Sequence, residues 1–200
     1  FEDIWPSGGD YDMNDVIVEY RREVTFNTKN MVTKITDIFT PVHDGATFSN
    51  AFAYQIDPGQ FGKVTSNSTG VKVESETSII VTPNAKGSIG KTYTITREFN
   101  ASFKKDDLKG YNPYIIVKYA EGQKDRTEVH LPKSKATSLA NQSLIGTNQD
   151  AYYIDREGEY PFAIDIPVLG FKPVTESHRI DSEYLDFSKW AESKGTKYTD

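Results

Sequence analysis

Oxygen-bearing side chains crowd the amino end of this sequence. Four of them fall within the six residues of Asp10-x-Asp12-x-Asn14-Asp15, and two more precede them. Carboxylates this close repel one another unless a cation lies between them. Ca²⁺ takes roughly six to eight oxygen ligands, and alternating Asp and Asn side chains provide such oxygens. The spacing therefore predicts a Ca²⁺ site. Its candidate ligands are Asp10, Asp12, Asn14 and Asp15, with Asp3 and Glu2 as further candidates.

The predicted site is not an EF-hand. An EF-hand loop needs glycine at its sixth position and glutamate at its twelfth, whereas counting from Asp10 these positions hold Asp15 and Arg21. Missing ligands must then come from main-chain carbonyls, water or a distant loop. Mg²⁺ seldom uses an all-protein cage, and zinc is disfavoured because there is no cysteine and the histidines are scattered. Gly8 and Gly9 are expected to let the loop curl.

The competing interpretation is that these acids form turns and caps and satisfy main-chain N–H groups. Trp5 and Tyr11 flank the acidic loop and are candidate ligand-binding residues, because exposed aromatic rings can stack on a sugar. Such rings also fill hydrophobic cores.

Composition restricts the possible partners. The chain of 200 residues, 22.5 kDa, is expected to form one domain spanning residues 1–200. A net charge of −6 disfavours binding to nucleic acid or anionic membranes. No apolar run approaches the roughly 18 residues that a membrane span requires. The opening residues lack an initiator Met and a signal-peptide pattern, which predicts a fragment or a processed form.

The elements that must position the acidic loop are predicted to be strands. Tyr and Phe are frequent at 12 and 11, and 36% hydrophobic residues fit strands with one solvent-exposed face. Strand-like runs cover Val16–Phe26, Met31–Phe39, Phe48–Ile56, Gly70–Val73, Ser78–Val81, Thr92–Phe103, Tyr114–Tyr119, Thr127–Leu131 and Phe162–Ile166. Together they predict an all-β fold, an antiparallel, jelly-roll-like β-sandwich.

One short C-terminal helix completes the predicted fold. Phe187, Trp190 and Ala191 share one helical face over Phe187–Ser193, with Asp186 as the cap and Gly195 at the carboxyl end. The stretch Ala136–Asp155 is expected to be a surface loop, with a helical turn near Leu139.

The acidic motif resembles the opening of the LruC domain family, E-D-L-W-P-x-x-G-D-Y-D-F-N-D-hydrophobic. The segment Glu2–Val16 departs from it at Ile4, Met13 and Val16. Weaker similarities follow in the family's order, at His43–Phe52, Glu128–Pro132, Pro161–Ile164 and Phe187–Gly195. This resemblance implies an exported or lipid-anchored surface protein of a Gram-negative bacterium. It implies no catalytic activity, and it points again to Asp10, Asp12, Asn14 and Asp15, with Asp3 and Glu2.

Three functions remain open. The first is a non-enzymatic cell-surface or extracellular module with a Ca²⁺ site, acting in adhesion or in binding a glycan or surface protein. The second is a carbohydrate-active hydrolase, for which Glu74/Glu76 and Glu157/Glu159 are available acid pairs. The third is a purely structural module of a larger surface protein. No catalytic residue is singled out, and His43, His130 and His178 lie too far apart in sequence to form a recognisable motif.

Overall fold

The computed structural model describes residues 1–157, 160–176, 178–193 and 196–198. Within these ranges the chain forms nine strands and one α-helix. The strands are β1 (Ile17–Phe26), β2 (Val32–His43), β3 (Ala51–Gln55), β4 (Lys63–Asn67), β5 (Lys72–Val73), β6 (Ser78–Thr82), β7 (Tyr93–Glu98), β8 (Asn112–Ile116) and β9 (Glu128–His130), and the helix is α1 (Phe187–Glu192). Short 3₁₀ turns cover Pro58–Gln60, Lys86–Ser88, Lys105–Asp107, Gln142–Leu144 and Ile180–Ser182.

The strands pair into two antiparallel sheets. One has the order β1-β2-β7-β4 and the other the order β5-β6-β3-β8-β9. Successive strands often lie in different sheets; β2 and β3, for example, are consecutive in sequence but belong to opposite layers. The predicted antiparallel β-sandwich with one short C-terminal helix is confirmed.

The core lies between the two sheets. In β7, Tyr93, Ile95 and Arg97 are buried while the residues between them are more exposed, which is the period of two that places one face of a strand inward. Inward residues of both sheets, such as Ile95 and Phe52, belong to one hydrophobic cluster. Each fully buried side chain of this size contributes about 1.5–3 kcal/mol.

Four strands of the five-stranded sheet, β6, β3, β8 and β9, are buried on both faces, contrary to the expectation of one solvent-exposed face, whereas the edge strand β5 is exposed. All five residues of β6 are buried, and a second apolar cluster, which includes Ile80 and Tyr114, lies on its outer side. Arg126 and Thr137 come from the loops beside this face and hydrogen bond to Glu128 of β9 at 2.7 and 2.6 Å.

The expectation of a surface loop at Ala136–Asp155 is therefore only partly correct. The segment has no regular strand or α-helix, but Ala136, Ala140, Asp150 and Tyr153 are buried. A turn lies at Leu139, where the N–H of Ala140 donates to Thr137 O at 3.3 Å, and a 3₁₀ turn follows at Gln142–Leu144.

One predicted strand is absent and one observed strand was not predicted. Phe162–Ile166 is not a strand, because the main chain at Phe162 pairs with loops: it donates to Tyr153 O and accepts from the N–H of Glu2. Strand β4 was missed because its residues are mostly exposed and lack apolar alternation. It is an edge strand held by β7.

Helix α1 spans six residues, and Phe187 packs against Tyr160 with ring centroids 5.8 Å apart. Asp186 occupies the cap position, but its carboxylate accepts from Lys189 Nζ instead of a main-chain N–H. Gly195, the expected carboxyl end, lies outside the described residues.

Nowhere in the described ranges does a helix reach the length and apolarity that a bilayer crossing demands.

Candidate metal centre

The acidic loop precedes β1 and is held against two distant segments. The N–H of Glu2 donates to Phe162 O at 2.8 Å, and the N–H of Ile180 donates to Tyr11 O at 2.8 Å. Tyr11 and Met13 have left-handed backbone, with φ of 55° and 57°. Such φ values at alternate non-glycine positions are costly and persist only when the surrounding structure imposes them.

Gly8 and Gly9 do not form the tight curl of the acidic loop that was predicted for them. The tight curl occurs at Tyr11 and Met13, not at Gly8 and Gly9. Gly9 instead permits a close approach, because a Cβ added there would lie 2.9 Å from Glu2 Oε2. The absence of a side chain at Gly9 therefore leaves room beside this carboxylate.

Three of the predicted ligands converge. Glu2, Asp10 and Asp12 each offer a carboxylate oxygen, and these oxygens lie within 4.8 Å of one another. Glu2 and Asp12 are buried, whereas Asp10 is exposed. We call this set the acidic triad. Its geometry suits a hard cation that enters from the side of Asp10.

Glu2 is the unusual member of the triad. Its side chain is 1% exposed, and its Oε1 accepts the N–H of Met13 at 2.6 Å. Its Oε2 is buried and has no hydrogen-bond partner. Burial raises the pKa of Glu2 to about 8. A buried carboxylate oxygen without a partner carries a desolvation cost that a cation would offset.

Asp3 and Asp15 stabilise the acidic loop through hydrogen bonds. Asp15 Oδ2 accepts the N–H of Asp3 at 2.6 Å, and Asp3 Oδ2 accepts from Asn50 Nδ2 at 2.8 Å. Burial raises the pKa of Asp15 to about 7. The structure does not group these two residues with the triad, so their role as metal ligands stays a prediction.

Asn14 orients Asp12. The N–H of Asn14 donates to Asp12 Oδ1 at 3.1 Å, and its Nδ2 donates to Asp12 Oδ2 at 2.8 Å. The same Nδ2 also donates to Val174 O at 3.0 Å. Asn14 Oδ1 is buried and has no partner.

Trp5 and Tyr11 pack against protein. Trp5 donates from Nε1 to Asp150 Oδ1 at 2.7 Å and lies 4.8 Å from the Tyr153 ring. Tyr11 stacks on Tyr160 at 5.3 Å. Both side chains are less than a tenth exposed, so neither ring face is open to solvent. Sugar stacking at these residues stays a prediction.

Sequence reasoning overlooked Asp44. Both of its carboxylate oxygens are buried and make no hydrogen bond of good geometry. Burial raises the pKa of Asp44 to about 6, and Lys86 and the Ala46 N–H oppose that rise. The N–H of Gly45 donates to Asn14 O at 3.0 Å, which places this turn beside the acidic loop. The only signal in the sequence was the position of Asp44 in the His43–Phe52 segment.

Neither acid pair considered for hydrolysis is seen as two free carboxylates facing each other in the described residues. Glu74 is bound by both terminal nitrogens of the Arg126 guanidinium, at 2.6 and 2.7 Å, while Glu76 is exposed. Glu157 is described, but Glu159 lies outside the described residues. Of the histidines, His130 is buried between Glu128 and Asn112.

A cavity of about 500 Å³ opens between β1 and the segment that follows Ile164. Its lining is mostly apolar and includes Val18, Phe52 and Phe171. The two carboxylates that line this cavity already hydrogen bond within the protein: Asp165 accepts from the Tyr20 hydroxyl, and Glu19 accepts from the N–H of Gly170.

Comparison with known proteins places the chain in a family. A crystal structure from Bacteroides ovatus, described as a "putative lipoprotein", shares the fold with a TM-score of 0.68 and 17% sequence identity. The match covers 100% of this chain and 71% of that one. No curated protein matches. The family model for a domain of unknown function, DUF4842, matches residues 71–200. These residues form more than half of the chain, which therefore belongs to the DUF4842 family.

Proposed function

We propose that this chain is a non-enzymatic module of a bacterial surface protein and that it binds Ca²⁺ at Glu2, Asp10 and Asp12. One observation carries the proposal: the buried Glu2 Oε2 has no hydrogen-bond partner and belongs to a carboxylate that converges with two others. A hard divalent cation matches such oxygens. Bound there, it would neutralise the acids and stabilise the folded state by mass action, by about 2.7 kcal/mol at a hundredfold excess over Kd.

The finer role is adhesion, or binding of a glycan or surface protein, through the loops beside the ion. The cation would hold these loops in one conformation and so lower the entropy lost on binding a partner. The resemblance to the LruC domain family supports a surface location with a lipid anchor in the parent protein. The Bacteroides ovatus protein, described as a "putative lipoprotein", is consistent with that location.

A purely structural module is the second candidate. Two hydrogen bonds favour it: Glu2 Oε1 and Asp15 Oδ2 each accept from a main-chain N–H group. Carboxylates that are satisfied by the main chain in this way need no metal. It predicts that a chelator leaves stability unchanged.

Calorimetric titration with Ca²⁺ separates these candidates. Wild type should release or absorb heat and melt at a higher temperature when Ca²⁺ is present. Asp10→Asn should remove this binding event and still fold, because Asp10 is exposed. Asp106→Asn, an equally exposed change on a 3₁₀ turn, is the matched control and should behave as wild type. Absence of heat and of a melting shift in wild type at millimolar Ca²⁺ would remove the metal proposal. Binding to immobilised glycans with and without Ca²⁺ tests the finer role.

A further inference from the structure

The turn at Asp44 lies beside the acidic loop but outside the triad. The main chain joins the two segments: the N–H of Gly45 donates to Asn14 O at 3.0 Å, and the N–H of Ala46 donates to Asp15 O at 3.4 Å. The turn is therefore fixed relative to Asn14 by two hydrogen bonds.

The Asn14 side chain points its oxygen at this turn. Its Nδ2 lies between acceptors, donating to Asp12 Oδ2 at 2.8 Å and to Val174 O at 3.0 Å. This arrangement settles which end of the amide is nitrogen. The oxygen faces the opposite way, and a Cβ added to Gly45 would lie only 2.4 Å from it. Asn14 is 2% exposed, so this oxygen cannot be satisfied by bulk water.

Asp44 brings two further oxygens without partners. Its Oδ1 and Oδ2 are both buried and make no hydrogen bond of good geometry, although the neighbouring Ala46 N–H lowers the pKa of this carboxyl. The adjacent cation is Lys86, which lowers the pKa of Asp44 but donates its Nζ hydrogen bond to Ala46 O at 2.6 Å. Asp3 adds a second negative charge nearby. Three buried oxygens without a well-formed hydrogen bond, near the further carboxylate of Asp3, offer ligands to a hard cation.

We propose that Asp44 and Asn14 Oδ1 form a second Ca²⁺ position, distinct from the acidic triad, with Asp3 as its neighbouring carboxylate. This position goes beyond the proposed function, because it uses a turn that lies outside the acidic loop. The remaining ligands would be main-chain carbonyls and water. Asn14 joins the two positions, since its Nδ2 orients Asp12 of the triad while its Oδ1 lies against Gly45, the residue next to Asp44.

Ca²⁺ stoichiometry tests the second position independently of the first. Equilibrium dialysis with metal analysis should find two Ca²⁺ per wild-type chain and one in Asp44→Asn. Asp10→Asn should also retain one, and Asp106→Asn should retain two. Circular dichroism and thermal unfolding in chelator should show that Asp44→Asn folds as wild type does, because the change removes a buried charge and keeps the shape of the side chain.

The other outcomes distinguish the two proposals. One Ca²⁺ in wild type that Asp10→Asn removes and Asp44→Asn leaves in place would overturn the second position and retain the triad. One Ca²⁺ that only Asp44→Asn removes would overturn the triad and retain the second position. No bound Ca²⁺ in wild type would overturn both.

Discussion

The N–H of Met13 donates to Glu2 Oε1 at 2.6 Å, and the other oxygen of the same carboxylate is buried with no partner. Glu2 Oε1 is thus part of the hydrogen bonding of the acidic loop, and Glu2 Oε2 is available to a ligand. This division separates the structural role of the residue from the proposed metal-binding role.

Glu2→Gln should separate the two roles of this side chain. The amide oxygen can still accept from the N–H of Met13, while the ionisable carboxyl that would bind the cation is removed. In chelator at neutral pH we expect the free energy of unfolding to equal that of wild type or to exceed it by about 1 kcal/mol, because the Glu2 carboxyl, whose pKa burial raises to about 8, no longer has to take up a proton on folding. The Ca²⁺-induced rise in melting temperature should be lost. Glu98→Gln, at an exposed position of β7, is the control. An unchanged Ca²⁺ shift in Glu2→Gln would contradict the proposal.

The stability of the Ca²⁺-free protein should fall as pH rises. Burial raises the pKa of Glu2 to about 8, that of Asp15 to about 7 and that of Asp44 to about 6. Between the ordinary carboxyl range and about pH 8, these three carboxyls bind more protons in the folded state than in the unfolded state, so their contribution to the free energy of unfolding decreases with pH. Burial lowers the pKa of His130 and of the Phe1 amino group, which opposes this decrease, and we expect the three carboxyls to outweigh them. Ca²⁺ should remove this decrease because it holds the carboxylates as anions.

Urea unfolding at a series of pH values, in chelator and in Ca²⁺, measures this linkage. Calorimetry in buffers of different ionisation enthalpy should also show protons released when Ca²⁺ binds near neutral pH. A Ca²⁺-free stability that rises steadily from about pH 5 to about pH 8 would contradict the burial of these charges.

Gly45→Ala should destabilise the junction between the acidic loop and the Asp44 turn. The new methyl group would lie 2.4 Å from Asn14 Oδ1, so the backbone or the amide must move. We expect a loss of about 1–3 kcal/mol in the free energy of unfolding, measured with urea. Gly110→Ala is the matched control, because a Cβ there meets nothing within 4 Å. Equal stabilities of the two variants would show that the junction tolerates the added volume.

Arg97→Met should be the most destabilising of these substitutions. Arg97 Nε donates to Asp37 Oδ2 at 2.7 Å, and both side chains are inaccessible to solvent. Loss of one partner leaves the buried Asp37 carboxylate with only the Tyr54 hydroxyl at 2.9 Å and the more distant charge of Arg22, and costs about 3–5 kcal/mol. Arg21→Met breaks only the exposed pair with Glu23 and should change stability by less than about 0.5 kcal/mol. A small effect at Arg97 would mean that Asp37 is protonated or hydrated in the variant.

The local sequence pattern was sufficient to predict most strands of the two sheets. The alternation from Tyr93 to Glu98 predicted β7 because its period of two is a property of the strand itself. The strand-like run at Phe162–Ile166 was misleading, since its buried apolar residues pack without sheet pairing. The two buried faces of the five-stranded sheet were also unpredictable, because the covering residues Arg126 and Thr137 come from outside the strands.

The sequence by itself determined that a dense set of carboxylates lies next to the first strand. Only the tertiary structure decided which oxygens converge. Glu2 meets Asp10 and Asp12 because the loop folds back, with left-handed backbone at Tyr11 and Met13. Asp44 approaches Asn14 because long-range main-chain hydrogen bonds join their segments. Spacing along a chain limits which residues can be close, but burial and the loss of hydrogen-bond partners, which create a demand for a cation, arise only when distant segments pack together.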